Sequence, residues 1–451
     1  MVEARGRAAM ATGALALVVA GALTAAGTRP VAPPPSLLLD GVVVLARDGE
    51  PVVAAVPPWS GAAYAESSRV PAADRRLAAR GLAVAQRAWL ESGALPGRGG
   101  PWEEMVSGAL LDLHVLDGAT FTSGQVAKPG AVVAAWIPLW RLVWPRDASY
   151  VALALARTGH GEDAVEVLEF LQSQQRPDGS FAARSLAPGG PVGDGRRDQL
   201  DAAGYVLWAT RLVDAAVPGT RDRLDPLVTR ATAHLMAATA DGLPAPSSDS
   251  WELAEERVTV GTAAATLMGL DSAALLTGDP LVAARRDRLR REVVEAFGPT
   301  GYQRYATTAG SLVSAGRQGA DANVALLLPP FQSEPVPGAS AAWEASVRLL
   351  RQPAGGLAPG EGWRNDGVSW TPQTTLYAWV AAENGSGDLA ADLLDWTAAH
   401  RTASGAIPEK VTAEGEPRSV APLTWSAANV VLAADALDRL LLEVAPQDHD
   451  E

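Results

Sequence analysis

Residues 258–277 read VTVGTAAATLMGLDSAALLT, Gly278-Asp279-Pro280 follows, and the chain resumes with LVAARRDRLRREVVEAF up to Phe297. Apolar residues recur at helical spacing on both sides of the break, and Gly and Pro supply the stop and the restart. The same texture extends outward in both directions from Pro71 onward. It predicts helices over Asp74–Ser92, Glu103–Leu116, Ala148–Thr158, Asp163–Gln174, Asp198–Val213, Asp222–Ala240, Val258–Thr277, Pro280–Phe297, Ala341–Arg351, Thr371–Glu383, Leu389–His400 and Ser426–Val444, with a short one over Asp321–Leu328. No strand pattern stands out in this region. About a dozen helices joined by uneven, Gly-rich connections suit a closed toroid of helix pairs. An open solenoid is the alternative, although no fixed-period repeat supports it.

Before Pro71 the chain is different. Arg5 and Arg7 precede an apolar run from Ala8 to Gly27, and Ala25-Ala26-Gly27 offers small residues for cleavage. A basic start followed by an apolar run is the pattern of an export signal. The run also approaches the roughly 20 residues that span a bilayer, so an uncleaved membrane anchor is the rival reading. Residues 1–28 are therefore expected to be a signal peptide or anchor, placing the protein outside the cytoplasm, secreted or held at the cell surface. Arg29–Pro35 reads as a Pro-rich linker. Leu37-Leu38-Leu39, Val42–Leu45 and Val52–Val56, separated by Asp40-Gly41 and Asp48-Gly49, suggest a small hairpin or meander within 29–68. The helical unit then covers 69–446, and 447–451 is a polar tail.

Net charge is −14 over 451 residues, which disfavours nucleic acid and anionic membrane surfaces as partners. Lysine occurs only at 128 and 410, so arginine carries nearly all the positive charge, a pattern of coding bias. Cysteine is absent, which excludes disulfides, thiolate metal sites and a thiol nucleophile. The five histidines are scattered without metal-binding spacing. Tryptophan numbers 14 against 6 Tyr and 5 Phe. Indole faces stack on sugar rings, but large helical proteins also bury Trp in their cores, and composition does not separate the two.

Two carboxylates sit beside turn residues and tryptophans: Glu252 in Ser248-Asp249-Ser250-Trp251-Glu252, and Glu409 in Ile407-Pro408-Glu409-Lys410, with Trp425 further on. Two acids on loops among aromatics suit cleavage of a glycosidic bond, one protonating the leaving oxygen and the other activating water or attacking the sugar. By themselves, Glu252 also suits a first-turn helix carboxylate and Glu409 a solvated loop charge. Glu255, Glu256, Glu414 and Glu416 are expected to be solvated. In Trp144-Pro145-Arg146-Asp147-Ala148, the Arg and Asp can grip vicinal hydroxyls, or Asp147 can simply N-cap a helix starting at Ala148.

Taken together these segments resemble glycoside hydrolase family 15, the glucoamylase-like family, in an exported form of actinobacterial type. The resemblance spans about Gly130–Ala436 and rests on five segments in order: Trp144-Pro145-Arg146-Asp147, Gln199-Leu200-Asp201-Ala202-Ala203-Gly204, Asp249-Ser250-Trp251-Glu252, Trp363–Trp370 with Arg364, and Pro408-Glu409 followed by Leu423-Thr424-Trp425-Ser426. It implies an all-α (α/α)6 barrel and inverting release of glucose from the non-reducing ends of α-glucosides, without metal or cofactor. Glu252 would be the general acid, its pKa raised by burial beside Trp251, and Glu409 the general base about 6.5–9.5 Å away. Trp144, Arg146, Asp147, Asp249, Trp251, Arg364 and Trp425 would bind the substrate, with Arg146, Asp147 and Arg364 at the closed end. An α,α-trehalase and a catalytically decayed sugar-binding barrel are the competing implications. Where many members carry a second acid after the general acid, this chain has Leu253.

Overall fold

A computed structural model describes residues 40–56, 63–306 and 317–444. The expected leader, the Pro-rich linker, Leu37-Leu38-Leu39 and the polar tail lie outside the described residues. The first element is a hairpin of β1 (Gly41–Arg47) and β2 (Glu50–Val56), antiparallel with Arg47 opposite Glu50. Asp48 and Gly49 both take positive φ, 53° and 91°, the backbone that a tight two-residue hairpin turn requires.

Among the described residues twelve α-helices of 11 residues or more follow: α1 (Leu77–Ser92), α2 (Glu103–Leu116), α3 (Pro145–Arg157), α4 (Gly161–Gln174), α5 (Asp201–Ala216), α6 (Asp225–Ala238), α7 (Val260–Thr277), α8 (Pro280–Phe297), α9 (Ala339–Leu349), α10 (Thr371–Glu383), α11 (Gly387–Ala399) and α12 (Thr424–Val444). A 3₁₀ segment, Ala322–Leu327, stands between α8 and α9.

Burial sorts these elements into two rings. Every residue of α7 from Val260 to Ala274 is buried, as is every residue from Pro145 to Ala156 in α3 and from Thr371 to Ala382 in α10. A helix apolar all round belongs inside. In α8 only Val282, Leu289, Val293 and Phe297 are buried, a single stripe that faces inward, with the arginines half-buried or exposed around it. The inner ring runs α3, α5, α7, the 3₁₀ segment, α10 and α12, and α12 packs back on α3 to close it. The outer ring is α2, α4, α6, α8, α9 and α11, each packed on an inner neighbour, with α1 beside α2. The fold is an (α/α)6 toroid, and the closure of α12 onto α3 decides against an open solenoid. The centre is plugged by aromatic rings: Tyr150 to Trp208 at 5.2 Å, Trp208 to Phe331 at 5.1 Å, Phe331 to Trp379 at 5.4 Å and Tyr150 to Trp425 at 5.7 Å.

Two expectations change. The helix expected from Ala148 begins at Pro145, whose fixed φ and missing N–H suit a first helical position. Asp147 therefore sits within the first turn, Trp144 holds the cap position, and the capping role for Asp147 falls. Strands also occur beyond the hairpin: β3 (Leu142–Val143) pairs with β4 (Ser185–Leu186), and β6 (Lys410–Val411) lies between β5 (Ser369–Trp370) and β7 (Pro417–Arg418). At two residues each they are too short to carry a sequence alternation.

Candidate active site

Chain order explains why the site forms at one end. An outer element separates each pair of consecutive inner ones and returns the chain, so the inner helices present their N-termini together. The Trp144–Asp147 segment opens α3, the Asp249–Glu252 loop precedes α7, Arg364 precedes α10, and Trp425 is in the first turn of α12, with Glu409 in the loop before it. A cavity of about 440 Å³ lies among them, within the range of about 300–1,000 Å³ usual for small-molecule sites. Glu252, Glu409, Trp144, Arg146, Asp147, Trp251, Arg364 and Trp425 all line it.

The deep part is built around Arg146. This buried guanidinium lies 3.4 Å from Asp201, 3.6 Å from Asp147 and 3.6 Å from Glu252, and 5.1 Å from the centroid of Trp425. Burial works against its charge, but Asp147, Asp201 and Glu252 outweigh that, so it stays protonated. Burial pushes Asp147 up to about 6, with Arg146 opposing the rise. It pushes Asp201, at the start of α5, up to about 7. Asp147 Oδ2 has no hydrogen-bond partner among the described residues. An unsatisfied buried acceptor beside a fixed donor fork is suited to a hydroxylated ligand.

Glu252 lies at φ 55°, a left-handed conformation seldom taken by a side chain of this size. Its N–H donates to the Asp249 carbonyl at 2.8 Å, closing a tight turn. Trp144 Nε1 donates to Oε1 at 2.6 Å, and Arg196 is bonded to Oε2. The side chain is 26 % exposed. The expected sealing of this acid beside Trp251 is thus corrected: its neighbours are Trp144, Arg146 and Arg196, and Trp251 covers Arg304 instead, at 3.6 Å.

Glu409 is held immediately before β6 of a short sheet. Its N–H donates to Val420 O at 2.8 Å, and its carbonyl accepts from the Thr371 N–H at 3.1 Å. Oε2 accepts from Ser419 Oγ and lies 3.2 Å from Lys410 Nζ. Oε1 has no hydrogen-bond partner among the described residues. Ser419 also takes positive φ, 67°, so both acids are served by strained backbone.

Three further placements differ from expectation. Asp249 does not line the cavity. It is fully buried, accepts from the Trp251 N–H at 3.0 Å and from Thr259 Oγ1 at 2.6 Å, and pairs with Arg304 at 3.1 Å. Glu255 is buried rather than solvated, bonded by Arg304 at 2.7 Å and Tyr305 Oη at 2.6 Å. Asp321 completes the cluster at 2.6 Å from Arg304, and burial pushes it up to about 6. Arg364 is exposed at the rim, 5.4 Å from the Trp363 ring centroid, not at the closed end.

Sequence reading missed Arg184, Arg196, Lys410, Gln373 and the further wall residues Trp140, Trp363 and Trp370. Trp363 and Trp370 bound the segment singled out for Arg364, and Trp140 stands four residues before Trp144, so their clustering was available as a signal. Arg184 and Arg196 flank a glycine-rich loop with no motif, and only folding brings them to the cavity, Arg196 onto Glu252.

No family model matches the chain, and no curated protein does. Solved structures do. A wild-type glycosidase aligns at 22 % identity and TM-score 0.61 over 74 % of this chain and 96 % of its own. A bacterial glucoamylase complexed with acarbose aligns at 15 % and 0.63 over 80 % of this chain and 59 % of its own. The glucoamylase of Saccharomycopsis fibuligera aligns at 14 % and 0.59, over 75 % and 96 %. At these identities the likeness establishes the six-hairpin toroid.

Proposed function

We propose that the protein is an exported glycoside hydrolase of the family 15 type that removes glucose from the non-reducing ends of α-glucosides with inversion. The observation that carries this reading is the meeting of Glu252 and Glu409, 157 residues apart in sequence, in one tryptophan-lined cavity with Arg146 and Asp147 in its deep part. The glycosidase and glucoamylase names of its structural neighbours support it.

The terminal glucose lies against Trp425 and is fixed by Arg146 and Asp147. Glu252 protonates the leaving oxygen while Trp144 Nε1 orients its carboxyl. Glu409 takes the proton of the attacking water on Oε1, because Ser419 and Lys410 hold Oε2. Inversion requires about 6.5–9.5 Å between the carboxyls to admit that water. Export is supported by Arg5, Arg7 and the apolar run after them, and N-terminal sequencing of the secreted protein tests it.

Glucose release from maltose, isomaltose and trehalose tests the activity, and trehalose alone being cleaved would assign a trehalase. Glu252→Gln and Glu409→Gln should each lower kcat by about 10²–10⁴-fold with the far-UV circular dichroism unchanged. Unaltered hydrolysis in either variant would remove that residue from the mechanism.

A further inference from the structure

The chain is strongly acidic, yet this cavity is not. Five basic side chains line it (Arg146, Arg184, Arg196, Arg364 and Lys410) against three acids (Asp147, Glu252 and Glu409). One of only two lysines in 451 residues is among them. Exposure orders these charges by depth. Arg146 is 6 % exposed and tied to carboxylates that belong to the deep part, whereas Arg196 is 36 % exposed and Arg364 is open at the rim. Arg184 lies 5.1 Å from the Trp144 ring centroid and pairs with Asp194. Arg364 has no carboxylate partner among the described residues.

Arg196 and Arg364, the most exposed of these cations, therefore stand on the outer side, where the leaving portion of a glucoside has to lie once its terminal glucose occupies the deep part. Neutral hydroxyls do not need exposed guanidinium forks there. A carboxylate or phosphate does, because the planar fork matches it with two parallel hydrogen bonds. Arg196 adds a second argument. Its N–H occupies Glu252 Oε2, which must be clear before that oxygen can carry the proton destined for the leaving oxygen. An anionic group at the outer side competes with Glu252 for Arg196. The arm carrying Arg196 contains Gly193 and Gly195, both left-handed and with nothing packed against them, so it can follow.

We infer that the preferred substrate is an α-glucoside whose leaving portion carries an anionic group, a carboxylate or a phosphate, and that this group draws Arg196 away from Glu252. The inference rests on the glycosidase reading above. Two matched pairs test it. Maltitol and maltobionate share one linkage and an open six-carbon leaving portion, differing in an alcohol against a carboxylate. Trehalose and trehalose 6-phosphate differ in one phosphate. The anionic member of one pair should have the higher kcat/KM by about tenfold, the factor that about 1.4 kcal/mol supplies. Which pair responds identifies the anion.

The advantage should shrink at about 0.5 M salt, and the anionic-to-neutral ratio should fall toward one in Arg184→Gln and Arg364→Gln. Hydrolysis of the neutral members with no anionic preference in either pair overturns this inference and leaves the hydrolase standing. If no glucoside is cleaved, calorimetric titration of the same four compounds reads the ratio as Kd. Tighter anionic binding then upholds the charged subsite without the hydrolase, and equal or absent binding overturns it.

Discussion

At the residue scale the loop bearing Glu252 is held from beneath. Arg304 is fully buried and contacts Asp249, Glu255 and Asp321 while its guanidinium lies under Trp251. Burial opposes its charge, but these three carboxylates hold it protonated. Removing one member of such a cluster strands uncompensated charge in the interior, so Arg304→Met should cost about 3–5 kcal/mol in chemical denaturation. A loss below about 1 kcal/mol would show that the cluster is not the support described. None of this was readable from Asp249-Ser250-Trp251-Glu252. The partner of Asp249 lies 55 residues away in a segment without a motif, and Glu255 looked like one of several surface acids. The residues facing the cavity were more legible, because Trp, Arg and paired acids beside Gly and Pro are unusual enough to register locally.

At the element scale, helices α2, α8 and α10 begin and end where the pattern put them, since Pro and Gly mark their limits. The 3₁₀ segment was also visible as a short helical run. What stayed hidden was which helices form the inner ring, because that depends on contacts around the whole closure. Gly204 shows how tightly it closes. A Cβ there would lie 2.1 Å from the Ala265 carbonyl oxygen of α7, and one on Gly269 would lie 2.7 Å from Gly204 Cα. Alanine normally favours a helix over glycine by about 1 kcal/mol, yet Gly204→Ala should lower stability by about 1–3 kcal/mol, read as a fall in Tm.

The C-terminal end of α2 carries a different load. Burial, reinforced by Glu166 and Asp163, pushes Asp117 up to about 7. An unfolded aspartate titrates near 3.9, so between about pH 4 and 7 the folded chain keeps a proton that the unfolded chain has released. Stability from this group is complete below about pH 4 and is lost as pH rises through about 7. Asp117→Asn should flatten that slope and be more stable than the parent above pH 7, by about 2–4 kcal/mol at roughly 1.4 kcal/mol per unit. Equal pH profiles for the two proteins would contradict it.

At the scale of the whole molecule, the alternation of inner and outer elements assembles the site. It sends the starts of α3, α7, α10 and α12 to one end, so loops far apart in sequence meet around one cavity. The same closure stacks Tyr150, Trp208, Phe331 and Trp379 through the centre and leaves Trp425 between plug and cavity. Six of the 14 tryptophans line the cavity, while Trp208 and Trp379 are fully buried in the plug, so both uses of indole that composition left open occur here. On the proposed reading, Glu252 and a water held by Glu409 act on opposite faces of one glucose ring. Proton NMR of the anomeric signals during the first minutes of maltitol cleavage, which releases a single glucose, is the measurement. β-Glucose should appear first, and Glu252→Gln and Glu409→Gln should suppress its release. Initial release of α-glucose, or release undiminished in either variant, would contradict it.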